Sequence, residues 1–372
     1  MRKLKFNSNH EPTVGVEIEV ALVDPETGAL RSAIGDVLGR LPSKYGDTIK
    51  PELMQCYLEV NSATCKTIDQ VKRDLTTKIR AIERAADKSG VNLYWTGTHP
   101  FSSCHDQIPS PSERYAKLLE LLQDLGRQLV TFGLHVHVGV DSGDKAIIIC
   151  DRILKHLPNL LALSANSPWW ENRRTGLQSY RSKVMEMLPT AGLPMQMNNW
   201  SEYVWLINHL IDTGFINTIR EIWWDVRPHN NFGTVEVRIC DTPGCLDDAL
   251  ALAALIQCLV VHLSNEIDFG TYQHDGHPML IRQNKWRAAR YGLDAKIVDG
   301  IDYEWQTVRK RLTGLVKELR PTAAKLKSTH WLKRIGKMAM GKTWAQRQLS
   351  EYHRTRSHAQ TIAKMCAQSR LS

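Results

Sequence analysis

The sequence predicts an α+β fold in which one antiparallel sheet packs its apolar face under helices. Several short segments alternate aliphatic with charged or polar residues, which is the period of a strand with one buried face. Longer apolar or amphipathic segments lie between and after them and predict helices. The 372 residues are 42% hydrophobic and 23% charged, which is ordinary for a globular chain with a sizeable core. We expect one domain over 1–372 with a basic helical portion at about 282–372.

The first strand, at 13–23, carries the most unusual pattern. Its even-numbered positions from Val14 to Val20 are aliphatic, and the opposite face carries Glu17 and Glu19. Two like charges side by side on a strand are unfavourable unless a cation compensates them. One interpretation is a solvated polar face on an edge strand. The other is part of a cation site, which requires partners elsewhere in the chain.

The remaining elements follow from periodicity and from turn and cap residues. A turn is predicted at 24–28, and a short amphipathic piece with a loop at 31–50. Extended segments are predicted at 53–60, 91–97, 132–141, 222–228 and 233–240. Helices are predicted at 68–88, 112–128, 144–164, 200–210, 246–269, 283–291, 303–320 and 343–370. We expect no apolar run of membrane-spanning length.

The polar faces of these strands share one property: they carry groups that bind or neutralise ions. Beyond Glu17 and Glu19, they present Glu59 with Glu52 just ahead of it, His135, His137, Glu236 and Arg238. Carboxylates that converge in one cavity cannot all stay ionised without cations. Oxygen-rich ligation with an occasional imidazole suits Mg²⁺ or Mn²⁺ rather than Zn²⁺, and Mg²⁺ usually also holds substrate phosphates. The alternatives are an ordinary surface or core histidine pair and, for Glu236 and Arg238, a neighbouring ion pair.

Two familiar motifs are absent from the sequence, which contains no G-x-G-x-x-G and no G-x-S-x-G. The pattern G-x-x-x-x-G-K-[ST] occurs once, at 336–343, but no strand is predicted directly before it, as a phosphate-binding loop requires. A bound nucleotide would therefore be held by cations and by Arg or Lys side chains. Arg238 would neutralise charge that develops on a transferring phosphoryl group.

Two further features bear on partners and on cellular location. The segment 164–176 is polar and rich in turn residues, yet it holds Trp169 and Trp170 beside arginines, which predicts a binding loop; the alternative is that both rings fill a gap beneath a loop. Eight cysteines without C-x-x-C, in a chain without a recognisable export signal, predict reduced thiols in the cytoplasm.

The net charge of +9 is unevenly distributed along the chain. From Arg282 onward there are 21 Lys/Arg against 6 Asp/Glu, so the first 281 residues sum to −6. This asymmetry fits a nucleic-acid partner, a site for anionic ligands such as nucleotide phosphates, or solvated helix faces.

Nine motifs, in order along the chain, together resemble a known family. They are G-V-E-I-E at 15–19, D-P-E-T-G at 24–28, E-L-M-Q-C-Y-L-E at 52–59, G-L-H-V-H-V-G at 133–139, S-A-N-S-P at 164–168, T-G-L-Q-S-Y-R at 175–181, W-D-V-R-P-H at 224–229, T-V-E-V-R-I-C-D-T at 234–242 and N-K-W-R-A-A-R-Y-G-L-D-A at 284–295. The chain resembles the carboxylate–amine ligases of the glutamate–cysteine ligase type 2 family, in the glutamine synthetase-like superfamily. The resemblance implies a curved antiparallel sheet with helices on its convex face, and ATP with two or three Mg²⁺ as cofactors, Mn²⁺ being an alternative.

The resemblance also implies roles for individual residues. One cation would be held by Glu19, Glu52 and Glu59, and the cation that bridges the ATP phosphates by Glu17, His137 and Glu236. Arg238 and His135 are assigned to the nucleotide, with Arg238 and Glu236 as the catalytic pair. The substrate amino acid is assigned to Arg173, Tyr180, Arg181 and Arg227.

The chain departs from the family in this last region. The loop of the family commonly reads G-R-D-T-G, whereas 172–176 here reads N-R-R-T-G. The exchange of Asp for Arg174 reverses a charge beside the implied substrate and leaves open whether the acid is glutamate.

Three functions are therefore compared. The first is an ATP- and Mg²⁺-dependent ligase that joins a small carboxylate to a small amine through an acyl phosphate, as a glutamate–cysteine ligase does. The second is a phosphotransferase of the same superfamily, similar to guanidino kinases. The third is nucleic-acid binding by 282–372, which the lack of a nucleic-acid motif disfavours. No general base is evident, and an uncovered sheet edge would allow a homodimer.

Overall fold

The computed structural model describes residues 4–271, 277–298 and 303–371. Within them the strands are β1 Val14–Val23, β2 Ile49–Pro51, β3 Tyr57–Asn61, β4 Asn92–Tyr94, β5 Gly133–Gly139, β6 Trp169–Trp170, β7 Arg173–Arg174, β8 Ala191–Gly192, β9 Trp223–Trp224, β10 Val226–His229, β11 Thr234–Asp241, β12 Lys296–Val298 and β13 Trp305–Thr307. The α-helices are α1 Ile34–Gly39, α2 Ile68–Lys88, α3 Glu113–Leu122, α4 Asp124–Arg127, α5 Gly143–Arg152, α6 Leu157–Ser164, α7 Arg181–Glu186, α8 Trp200–Asp212, α9 Leu246–Asp268, α10 Pro278–Tyr291, α11 Val308–Glu318, α12 Arg320–Lys325, α13 Thr329–Met340, α14 Trp344–Thr355 and α15 His358–Ser369.

The central sheet is antiparallel throughout, with the strand order β10-β11-β5-β1-β3-β2 and with β4 also paired to β1. Its register places Glu17 opposite His135, Glu19 opposite Glu59 and Glu236 opposite His137. Residues directly opposite each other in an antiparallel pair project to the same side of the sheet. The polar residues of four strands therefore share one face, and the predicted α+β class is confirmed.

The other face of the sheet forms the core. Val16, Ile18, Leu134, Val136 and Val237 are at most 1% exposed. The helices α2, α5, α6 and α9 cover this face, as expected when an amphipathic sheet buries its apolar side.

Helix α9 differs from one expectation. It is long and apolar enough to cross a membrane by length and composition, although no such run was expected. Of its most apolar window, 83% is buried inside the protein. Its apolarity is that of a core helix under the sheet.

The C-terminal helices pack on the same body. In α13 the indole of Trp331 donates to Asp69 at 3.0 Å, and in α14 the indole of Trp344 donates to Asp248 at 2.7 Å. The predicted helix over 343–370 is wrong in its continuity, because Arg356 adopts a left-handed φ of 54° and separates α14 from α15. Helix α13 was not predicted at all.

Other boundaries also differ from the prediction. The strand expected at 53–60 begins only at Tyr57, and β2 precedes it. The helix expected at 112–128 breaks at Gln123, whose φ is 51°. A 3-10 turn at Ile153–His156 interrupts the helix expected at 144–164. Hydrophobic periodicity continues through such short irregularities of the helices and does not reveal them.

Candidate active site

The polar face of the sheet forms the floor of a cavity of about 390 Å³, which we call the acidic cavity. All but two of the sequence-predicted site residues line it: Glu17, Glu19, Glu52, Glu59, His135, His137, Arg181, Arg227, Glu236 and Arg238. The strands position all of these side chains except Glu52 and Arg181, because the two-residue period directs alternate residues to the same face. The convergence expected from the four strand patterns is therefore observed.

One close group of cation-binding atoms consists of Glu17, His137 and Glu236. His137 Nε2 lies 3.3 Å from a Glu17 oxygen and 3.9 Å from a Glu236 oxygen. This nitrogen is buried and has no hydrogen-bond partner among the described residues. Nδ1 of the same ring lies 3.0 Å from the hydroxyl of Thr234, which can accept its proton and leave the Nε2 lone pair facing the carboxylates. A buried imidazole nitrogen aimed at two carboxylates fits a divalent cation.

A second close group shares Glu17 and adds Glu59 and His135. His135 Nδ1 lies 3.2 Å from the second Glu17 oxygen. The resemblance had grouped Glu59 with Glu19 and Glu52 instead. Both of those carboxylates line the acidic cavity, but the Glu19 carboxylate accepts the backbone N–H of Gly133. The resemblance assigns Glu17 and Glu19 to different cations. In this structure Glu17 belongs to both close groups.

The carboxyl groups of the acidic cavity differ in their proton affinity. Burial, followed by the charge of Glu19, raises the pKa of Glu52 to about 8. Burial and the charge of Glu17 also raise the pKa of Glu59. Burial opposes ionisation of Glu17 as well, but the imidazoles of His135 and His137 beside its carboxylate outweigh it and lower its pKa. Without a cation, Glu52 and Glu59 are therefore the groups that retain protons, and a bound cation would compete for both.

Glu236 is enclosed by two arginines. Arg227 Nε donates to one carboxylate oxygen at 2.7 Å, and Arg238 contacts the other. Burial alone would raise the pKa of Glu236, but these two cations hold it well below its ordinary value. Glu236 and Arg238 thus form the ion pair that was the alternative interpretation. The Glu236 carboxylate also faces His137.

The pKa values of the two histidines shift in opposite directions. Burial and the charge of Arg238 lower the pKa of His135. Burial would also lower the pKa of His137, but Glu236 and Glu17 outweigh it and raise that pKa.

Arg181 enters the acidic cavity from the start of α7. Its guanidinium lies 3.4 Å from the carbonyl oxygens of Arg238 and Ile239. It also lies over Gly133, where an added Cβ would come within 2.1 Å of a guanidinium nitrogen. Gly133 is therefore needed for the close approach of this arginine to the sheet.

The backbone position of Arg181 depends on Asp241, a fully buried residue that is not among the predicted site residues. Asp241 accepts hydrogen bonds from the Asn166 N–H at 2.9 Å, the Ser167 hydroxyl at 2.7 Å and the Ser179 hydroxyl at 2.8 Å. The Ser167 hydroxyl oxygen in turn accepts the N–H of Arg181 at 3.1 Å. One carboxylate at the end of β11 thus fixes both ends of the segment 166–181. Its position in the T-V-E-V-R-I-C-D-T motif was the only available signal.

Two predicted substrate contacts lie outside the acidic cavity lining. Arg173 is exposed in β7, and Tyr180 packs its ring 5.6 Å from that of Trp170. The expectation that Trp169 and Trp170 are exposed in a binding loop is wrong, since they are 6% and 5% exposed. The Trp169 ring packs against Tyr352 and His358 of the C-terminal helices, so the gap-filling alternative is correct.

Several lining residues were not anticipated. They are the cations Lys50, Arg114 and Arg220 and the aromatic residues Tyr115, Trp223, His229 and Phe232. The rings of His229 and Phe232 stack with centroids 4.2 Å apart, and Phe232 is 60% exposed. Most of these residues lie in connections or at element ends, where no periodic pattern marks them.

Comparison with known proteins gives a consistent picture. The sequence model of Glutamate-cysteine ligase family 2 matches residues 13–367. A protein of Gloeobacter violaceus that bears the name glutamate–cysteine ligase 2 is 40% identical over 364 residues, covering 97% of this chain and 98% of its own. A protein of Bdellovibrio bacteriovorus with the same name is 34% identical over 363 residues, covering 98% and 96%.

Solved structures share the fold at low identity. The glutamate–cysteine ligase of Francisella tularensis in complex with AMP aligns with a TM-score of 0.73 at 13% identity, over 98% of this chain and 89% of that one. The ligase PafA in complex with the prokaryotic ubiquitin-like protein Pup aligns with a TM-score of 0.53 at 13% identity, over 95% and 72%. These alignments confirm the glutamine synthetase-like fold expected from the motifs. The chain belongs to glutamate–cysteine ligase family 2 and is an ATP-dependent carboxylate–amine ligase.

Proposed function

We propose that the acidic cavity binds ATP with divalent cations, Mg²⁺ first and Mn²⁺ as the alternative, and joins a small carboxylic acid to a small amine. The observation that carries the proposal is the pair of close cation-binding groups that share Glu17 on the floor of the acidic cavity. Carboxylate oxygens with one imidazole per group are donors suited to these cations. Bound cations would neutralise the phosphates and screen them from the acid substrate.

The reaction we propose has two steps. An oxygen of the acid attacks the γ-phosphorus, the bond to the β-phosphate oxygen breaks, and an acyl phosphate and ADP result. The amine then attacks the acyl carbon, phosphate leaves with the electrons of the broken C–O bond, and the amine nitrogen loses a proton. Arg238 would stabilise negative charge on the transferring group, and His135 beside it would contact the same phosphate region.

Cations on the wall of the acidic cavity would hold the acid substrate. Arg181, Arg220 and Arg114 line it, and arginine binds carboxylates through paired hydrogen bonds. Arg227 also lines it but is engaged by Glu236. The charge-reversing Arg174 is exposed in β7 and is not a lining residue. We therefore propose glutamate and cysteine as the first substrate pair to test.

The cellular location, the domain organisation and the oligomeric state are also proposals. All eight cysteines are free, and seven of them are buried, which supports a cytoplasmic location. Contacts of α13, α14 and α15 with the sheet body support a single domain that includes the basic C-terminal portion. A homodimer would use a free sheet edge at β2 or β10.

The test is a screen of purified protein with ATP, Mg²⁺ and pools of acids and amines. We expect ADP release that requires both substrates, together with a new amide detected by mass. A stable phosphorylated acid or amine without amide would favour a phosphotransferase. Release of ADP by no pair at all would contradict the proposal. Glu17→Gln should abolish the reaction, whereas Glu11→Gln, an exposed residue paired with Lys66, should not.

A further inference from the structure

A third group of metal-binding side chains lies away from the acidic cavity. It consists of Cys104 and His105, in the connection between β4 and α3, and Glu171, between β6 and β7. Cys104 Sγ lies 3.3 Å from Glu171 Oε1 and 3.5 Å from His105 Nδ1, and the last two atoms are 3.9 Å apart. None of these residues lines the acidic cavity.

These distances can be compared with those around a bound cation. Tetrahedral zinc with ordinary bond lengths to sulfur, nitrogen and oxygen places its ligand atoms about 3.4–3.6 Å from one another. The three observed separations bracket that range. Shifts of a few tenths of an ångström, on the order of side-chain thermal motion, would therefore close the set around one ion.

A fourth residue orients the histidine. The far ring nitrogen of His105, Nε2, lies 2.6 Å from Asp124 Oδ1, at the first residue of α4. A carboxylate that accepts the far N–H of an imidazole leaves the near nitrogen as a lone-pair donor, which is the common arrangement around metal-bound histidine. Here the near nitrogen, Nδ1, faces Cys104 and Glu171. The break between α3 and α4 at Gln123 brings Asp124 to this position.

Burial is also suited to a partly open site. Cys104 is 2% exposed, whereas the His105 side chain is 51% exposed. The sulfur would be sheltered, and a water molecule could reach the fourth coordination position. In the absence of an ion, the thiol, the Cys104 N–H and the Ser103 hydroxyl all donate to Glu171 Oε1. These hydrogen bonds to Glu171 would by themselves hold the two loops together, and they do not require His105 to lie near the sulfur.

We propose that Cys104, His105 and Glu171 bind a zinc-class divalent cation through Sγ, Nδ1 and a carboxylate oxygen, with water as the fourth ligand. Binding exchanges the thiol proton for the cation, and the proton leaves to solvent. Thiolate and imidazole favour Zn²⁺ over the Mg²⁺ suited to the oxygen-rich acidic cavity. The ion would join the 95–112 connection to the loop that leads through Arg173 to Arg181. These loops already meet, because the Asn172 N–H donates to the Pro100 carbonyl at 2.8 Å.

The test uses the full chain, stripped with a chelator and then titrated with Co²⁺ or Zn²⁺ alone. We expect a thiolate-to-metal charge-transfer band from one Co²⁺ per chain, in addition to any Co²⁺ held in the acidic cavity, and loss of that band when Zn²⁺ displaces this Co²⁺. Glu17→Gln, which disrupts the acidic cavity, should retain the band. Cys245→Ser, a matched control at another cysteine, should retain it too.

Three variants probe the site itself. Cys104→Ser should lose the band, His105→Gln should weaken binding at least about tenfold, and Asp124→Asn should weaken it by about 10- to 100-fold. His105 and Asp124 are exposed, so those variants are expected to fold, which circular dichroism would check. A band that persists in Cys104→Ser, or a folded wild-type chain that binds Co²⁺ without any thiolate band, would overturn the proposal.

Discussion

The two faces of the central sheet are built from the same strands and serve opposite purposes. Along β5, Leu134 and Val136 are fully buried against helices, while His135 and His137, which alternate with them, line the acidic cavity. On the polar face Glu19 lies directly opposite Glu59, a pairing that costs stability when both carboxyl groups are ionised. The apolar face supplies burial free energy at about 25 cal/mol per Å². The difference indicates that the sheet is stabilised on one side and can therefore tolerate concentrated charge on the other.

Loss of the Glu17 charge on the polar face should have the greatest consequence, because both cation-binding groups share this carboxylate. Glu17→Gln keeps the side-chain size but removes the charge, so we expect a loss of ligase turnover of about 1000-fold, or ~4 kcal/mol in the barrier. Thermal unfolding should show a folded protein. ADP release with saturating substrates measures the effect, with Glu11→Gln as the control. Turnover within about tenfold of wild type would contradict the assignment of this site.

Leu134 lies on the apolar face of β5, next to His135 in the chain, and a change there tests the side of the sheet that supplies stability. Leu134→Ala removes a fully buried side chain, and we expect the free energy of unfolding to fall by about 3 kcal/mol. Turnover per folded molecule should change far less than in Glu17→Gln. Urea denaturation followed by circular dichroism measures the stability. A loss below about 1 kcal/mol would mean that this face contributes less to stability than its burial indicates.

A bound cation should reduce the loss of folding stability that the carboxyl groups of the polar face cause. The pKa of Glu52 is raised to about 8, so between about 4.5 and 8 the folded chain holds a proton that the unfolded chain has released. Stability of the metal-free protein should therefore fall as pH rises through that window. Mg²⁺ at 100 times its dissociation constant should add about 2.7 kcal/mol at the upper end of the window.

Thermal unfolding from pH 5 to 8, with and without Mg²⁺, measures this effect. Glu52→Gln should flatten the pH dependence of the metal-free chain. An Mg²⁺ stabilisation that is equally large in Glu17→Gln would place the ion elsewhere.

The smallest effect concerns the residue that anchors Arg181 to the sheet. In Asp241→Asn an amide NH₂ replaces one acceptor, so one of the donors from Asn166, Ser167 or Ser179 is left unpaired. We expect a loss of about 1–2 kcal/mol in stability. Because Arg181 is displaced while the floor is intact, KM for the acid should rise more than kcat falls. Asp212→Asn, at an exposed residue in α8, is the matched control, and a fall in kcat without a change in KM would contradict this positioning role.

Much of the fold could be predicted because it follows from local periodicity. Strand β1 and helices α2 and α9 lie within about two residues of their predicted bounds, since each combines a strong pattern with clear ends. Helix α13 and the breaks at Gln123 and Arg356 were missed. A left-handed residue changes the chain direction without altering the hydrophobic pattern around it.

The residues of the candidate site also fall into those that local periodicity predicts and those that it does not. Carboxylates and imidazoles on the strands were identified because a period of two assigns each to a face, whatever the packing around it. The Trp169–Trp170 pair was misjudged because its burial depends on distant segments of the chain, which for Trp169 are the C-terminal helices α14 and α15. The stacked rings of His229 and Phe232 had no periodic signal.

Which residues share the polar face of the sheet, which ions those donors prefer, and which family the chain belongs to can all be read from the amino-acid sequence. The folded structure is needed to see that Glu17 belongs to both cation-binding groups, that Asp241 holds the segment carrying Arg181, and that Cys104, His105 and Glu171 lie together. The two kinds of information differ because the interactions differ in range. Side-chain sidedness is set by neighbouring residues along one strand, whereas Glu171 lies 67 positions from Cys104, and contact between them requires the whole chain to fold.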